Sequence, residues 1–377
     1  MRPGHVHHGF RTARRRRISA DMTRTPVTRN PVAYEPALGR NARTGDWQEL
    51  ARGTFRTAIE RVEAQQWEAA AQLVEVAVLE AEELNDVYQR WPAATMQWIR
   101  DHDVAQADLD RALARLTALI GDQAMAGINA EWPTFTDAVA VAARACRDQD
   151  PAAAGLIETA RQAWQQIHDR AVDRVAGIVD IAVTLVGEPA LGELWDFLMA
   201  DWYEIHERRY ALDNQPWSES AHQLMIAIVD GFHAHLAGTG RQGDIELIEE
   251  PGRTGFRFAP CGSGGRSLDA RITDGVPRSG APFGFAVTTE PHDWAWNTVG
   301  ICSYCVHCCQ LNEVMPIDRL GYPTRVIDPP TWTPDSPTTS CTWWVYHDLA
   351  DIPDHVYHRV GRDPARRPSP TRRSADG

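Results

Sequence analysis

The 377-residue chain contains no lysine; all 38 of its Lys-plus-Arg residues are arginine. Schiff-base catalysis, covalent pyridoxal phosphate and the lysine-dependent phosphate loop are therefore excluded. No apolar run approaches the ~20 residues of a membrane-spanning helix, and no Gly-x-Gly-x-x-Gly stands between a strand and a helix. The N-terminus is not followed by the apolar segment of a secretory leader, so the expected location is the cytoplasm, with thiols reduced.

Cationic charge is scarce in the middle of the chain. The formal net charge is -13, but residues 1–43 hold ten Arg against Asp21 and Glu35, and residues 359–377 hold six Arg against two Asp. Between them 22 Arg face 47 acidic residues, a net of -25. An acidic body argues against a nucleic-acid partner. The basic ends lack hydrophobic periodicity and read as disordered tails, with Met22 available as an alternative start to Met1.

What is present points to an α+β protein. A 43% hydrophobic content over this length can fill more than one core. Residues 44–237 are Ala-rich, with apolar residues at three- and four-residue steps over Trp47–Ala64, Trp67–Trp91, Gln106–Ile120, Thr136–Arg147, Ala153–Leu185, Leu191–Tyr210 and Ser218–Leu236. Breaks fall at Pro92, Gly121, Pro133 and Pro151. This predicts a helical bundle domain. Residues 238–358 are rich in Gly and Pro, with short strand-like pieces at Phe283–Thr288 and Thr342–Tyr346, and predict a smaller β-containing, cysteine-rich domain.

Six of the seven cysteines fall between Cys261 and Cys341, four of them in the run Cys302-Ser-Tyr-Cys305-Val-His307-Cys308-Cys309. Cysteines used only as small hydrophobes scatter along a chain, so this crowding predicts a metal or thiol site. The overlapping Cys-x-x-Cys steps at Cys302, Cys305 and Cys308 aim three ligands at one zinc ion. Cys261 is the first choice for the fourth, with Cys309, Cys341 and His307 as alternatives. The same spacing is similar to the first three cysteines of a bacterial ferredoxin run, so an iron-sulfur cluster is the alternative cofactor, although Asn312 stands where the fourth cysteine would be.

The thiols also outnumber the four ligands of a closed zinc site, which points to chemistry. Cys261 lies in Phe256-Arg-Phe-Ala-Pro-Cys-Gly-Ser-Gly-Gly265, where glycines allow positive φ, and Arg266 follows to steady negative charge. Cys261, Arg266 and His307 are the candidate catalytic residues. Trp294, Trp296, Trp332, Trp343 and Trp344 offer flat walls, though Trp343 and Trp344, adjacent in a strand, face opposite sides. In the helical part, Glu219-x-x-His222 and Asp230-x-x-His233 share one helix and so miss the two-helix di-iron pattern; His206, His233 and His235 are better suited to act as general bases. The expected function is a zinc- or thiol-dependent hydrolase of a small planar or aromatic substrate. The alternatives are a non-catalytic metal-binding subunit of a hetero-oligomeric enzyme and an iron-sulfur protein.

Overall fold

The computed structural model describes residues 30–333 and 337–364. It is an α+β protein, largely helical in its N-terminal part, with a smaller antiparallel sheet region. Helices α1 (Trp47–Leu50), α2 (Thr54–Glu63), α3 (Trp67–Asp101), α4 (Gln106–Ile120), α5 (Asp122–Ala126), α6 (Trp132–Arg147), α7 (Ala153–Val186), α8 (Leu191–Tyr210) and α9 (Trp217–Ala234) are arranged around α3 and α7, the two longest. Among the described residues, no helix is long and apolar enough to cross a membrane.

Three differences from the sequence expectation have local causes. Pro92 does not end its helix. A proline inside a helix costs about 3 kcal/mol, but Tyr88, Trp91, Thr95, Trp98 and Ile99 are buried on both sides of it, and their packing keeps α3 continuous. Pro133 occupies the first turn of α6, where its missing N–H costs nothing. The segment expected as one helix over Trp47–Ala64 is split into α1 and α2 at Gly53. A side-chain carbon at Gly53 would lie 1.6 Å from the Gln242 carbonyl oxygen, so a neighbouring loop holds the backbone there.

Strands β3 (Glu246–Glu250), β4 (Arg253–Phe258), β5 (Val326–Asp328) and β6 (Cys341–Tyr346) form one antiparallel sheet in the order β3-β4-β6-β5. Every residue of β6 is buried, as befits a central strand covered on both faces. The piece expected as a strand at Phe283–Thr288 contributes only an isolated bridge between Val287 and Cys302. One continuous apolar core runs from Ala51 to Val360, through the helices and the sheet alike.

The basic N-terminal stretch is ordered in part. Residues 1–29 and 365–377 lie outside the described residues, but β1 (Val32–Glu35) and β2 (Arg40–Arg43) form a hairpin against α3. Arg40 pairs with the buried Asp230, and Arg43 donates to the Glu49 and Arg52 carbonyls and to Thr57. Arg40 finds its partner 190 residues on and Arg43 finds the named ones six to fourteen residues on, and these contacts tie this part of the expected tail to the helices.

Candidate functional site

Between the helices and the sheet lies a cavity of about 220 Å³. The helices α3, α8 and α9 supply Tyr88, Trp91, His206 and Phe232 to its wall, and His235 caps α9 beside them. The C-terminal part supplies Cys261, Tyr304, Cys305, His307, Cys308, Arg325, Cys341 and Trp343. Trp344, next in the strand, faces away and lies beneath the Arg253 guanidinium, as strand alternation requires.

The cysteine run folds into a 3₁₀ turn at Ser303–Cys305, the short helix α10 (Val306–Cys309) and one π-helical turn, Gln310–Val314. Helical rotation distributes its thiols to different surroundings. Cys305 and Cys308 reach the cavity; Cys309 instead donates to the Asp293 carbonyl, and Cys302 is buried off the cavity against Cys305. The Cys305 thiol hydrogen-bonds Cys302 and draws its pKa down to about 7, while Cys305 itself is raised. Cys302 does not line the cavity.

The chain enters this region through Cys261, whose sulfur accepts the Gly265 N–H at 3.0 Å. Burial nevertheless pushes the Cys261 thiol up. None of Gly262, Gly264 and Gly265 adopts the positive φ invoked from the sequence. They are needed for close approach. A side-chain carbon at Gly262 would meet the His235 carbonyl at 1.7 Å, and one at Gly264 would meet the Cys305 sulfur at 2.3 Å.

Arg266 is placed elsewhere than its expected role requires. Its guanidinium donates to both carboxylate oxygens of Asp173, to Asp169 and to the Ile272 carbonyl, and it does not line the cavity. Arg278 shares Asp173, and Arg241 shares Asp169. These groups bind the loop after Cys261 to α7.

His307 and Cys308 form a thiol-imidazole pair at the cavity wall. The Tyr304 carbonyl can only accept, so His307 Nδ1 carries the proton and Nε2 is left as the acceptor. Cys308 Sγ lies 3.3 Å from that Nε2. Burial pushes His307 down to about 4 and raises Cys308, so the resting pair is a neutral thiol donating to a neutral imidazole.

A second imidazole chain ends at the same wall. Asp169 accepts from His168 Nδ1, and His168 Nε2 lies 3.2 Å from His235 Nδ1. The carboxylate fixes the tautomers in sequence, leaving His235 Nε2 as an acceptor. His206 donates from Nδ1 to the Trp202 carbonyl and accepts an Arg325 N–H at Nε2, 2.9 Å away. His233, by contrast, is turned from the cavity to Glu80, Thr54 and the Leu50 carbonyl.

Among the described residues, no three Cys, His, Asp or Glu side chains are placed to hold a metal ion. The donor set expected for zinc or a cluster, Cys302, Cys305 and Cys308 with Cys261, Cys309 or Cys341, thus does not form a coordination shell. Asn312, at the fourth ferredoxin position, donates to the Cys308 carbonyl within the π turn. Tyr88, Trp91, His168 and Arg325 were not singled out from the sequence. Tyr88 and Trp91 lie three residues apart on α3, His168 is on α7 and Arg325 directly precedes β5, so no single local spacing joins the four. No protein-family model, no curated protein and no solved structure matches this chain.

Proposed function

We propose that the chain is a thiol-dependent hydrolase of a small planar or aromatic ester or amide, with the internal cavity as its reaction chamber. The observation that carries this reading is the Cys308–His307 pair, in which the base sits within reach of the nucleophile and is itself oriented by a third group, the Tyr304 carbonyl. Cys261, the first choice from sequence, lines the same cavity, but its sulfur is bonded to Gly265 N–H and Ser263 rather than to a base.

In the first half-reaction the Cys308 sulfur attacks the substrate carbonyl carbon as its proton moves to His307 Nε2. The carbonyl electron pair shifts to oxygen, returns, and expels the alcohol or amine, which takes the proton from His307. Water then attacks the thioester carbon and gives a proton to His307. The C–S bond breaks, the acid departs, and Cys308 recovers its proton. Proton transfer within the pair removes the need for a preformed thiolate, which burial disfavours.

The test is hydrolysis of phenyl esters and anilides by the full-length protein. Cys308→Ala should abolish turnover, His307→Gln should lower kcat by about 10²- to 10⁴-fold, and Cys341→Ala should retain most activity. Full activity in Cys308→Ala overturns the reading. So does stoichiometric zinc whose removal by a chelator abolishes turnover, or activity residing in a co-purifying second polypeptide, which would make this chain the non-catalytic subunit.

A further inference from the structure

Five arginines are buried in the described part of the molecule: Arg161, Arg241, Arg266, Arg278 and Arg325. Four have a carboxylate in ion-pair contact, namely Glu158 for Arg161, Asp169 for Arg241, Asp169 and Asp173 for Arg266, and Asp173 for Arg278. Among the described residues, Arg325 alone of the five has none, although it is only 7% exposed. Its terminal N–H donates to a neutral imidazole, His206, its guanidinium lies 5.1 Å from the Trp343 ring centre, and its Nε is buried without a partner. A buried charge left in this condition is costly, and it is retained where something else neutralises it.

We infer that Arg325 is the anchor for an anionic group of the ligand, and that the cavity therefore selects a small aromatic or planar carboxylate. The two acids that line the cavity do not fill the role. Glu80 is committed to Thr54 and His233, and Glu83 is exposed and makes no ion pair with Arg325. Trp343 under the guanidinium, with Trp91 and Tyr88 also lining the cavity, supplies apolar faces for a flat body.

The position of Arg325 ties recognition to chemistry. Its backbone N–H and that of Thr324 donate to the Asn312 carbonyl in the π turn, and Asn312 in turn holds the Cys308 carbonyl. Anchor and nucleophile are thus linked through one turn of chain. The inference rests on the reading of this cavity as the substrate chamber, but it does not depend on which thiol attacks.

The test uses the full-length protein with benzoate and its neutral isostere benzamide, titrated by calorimetry. Benzoate should bind roughly tenfold to a hundredfold more tightly than benzamide, the range of a charge-assisted hydrogen bond. Arg325→Met should erase the difference by weakening benzoate while leaving benzamide binding as in the wild type, a split that a loss of folded structure alone would not produce. Equal binding of the two compounds, no benzoate binding, or a preference that survives in Arg325→Met overturns the inference; the wild-type comparison decides the matter even should the variant fail to fold. Benzoate should still bind Cys308→Ala, so a failed nucleophile assignment and a failed anion site give separate results.

Discussion

Arg266 and Arg325 lie 59 positions apart in the sequence and are buried to a similar degree, at 5% and 7% exposure, yet their surroundings differ. Arg266 is paired with Asp173 and Asp169 and donates to a carbonyl, so its charge is consumed in holding the loop after Cys261 to α7. Removing one partner of such a cluster strands the others. Arg266→Met should therefore cost about 3–5 kcal/mol of stability, while the folded fraction retains hydrolysis per active site. Denaturant unfolding combined with active-site titration checks this; a fully stable but inactive Arg266→Met would return the residue to the catalytic role that its neighbourhood in sequence suggests. Sequence could not separate the two arginines, because what distinguishes them is a carboxylate more than ninety residues away in one case and its absence in the other.

At the scale of elements, the long helices were legible because their apolar residues recur at helical spacing, and two of them, α4 and α7, are closed by a glycine. Gly121 ends α4 with φ of 86°, a conformation that glycine adopts at no steric cost. Misreadings arose where distant packing outweighed local preference, as with Pro92 inside α3 and Gly53 between α1 and α2. The cysteine run was legible as a site but not as a geometry. Metal-knuckle spacing and a helix followed by a π turn share the same residues, and only the backbone path decides which thiols face one point. Here the turn sends Cys308 to the cavity and Cys309 away from it. π turns are often retained at functional sites, and this one carries Asn312, the link between Arg325 and Cys308.

Across the whole molecule, the helical and sheet parts share one apolar core, and their interface also contains the buried charges and the cavity. Acid should loosen that interface in a defined way. Burial alone would raise the Asp169 carboxyl, but Arg241, His168 and Arg266 outweigh it and hold it at about 2, below its ordinary 3.8. The stabilisation it contributes, about 2 kcal/mol, is present in full above the unfolded value and is lost as pH falls from about 4 through about 2. Wild type and Asp169→Asn should therefore differ most in melting temperature at neutral pH and converge towards pH 2. A difference that stays constant over this range would show that Asp169 contributes no charge-dependent stability.

The central claim is that one of seven thiols, Cys308, attacks the substrate, and trapping the acyl-enzyme tests it most directly. Full-length protein is mixed with an activated aromatic ester, quenched in acid during the first turnover, digested and mapped by mass spectrometry. The account predicts the acyl group on Cys308, diminished in His307→Gln and absent in Cys308→Ala. An acyl group on Cys261, or turnover with no acylated cysteine at all, would contradict it.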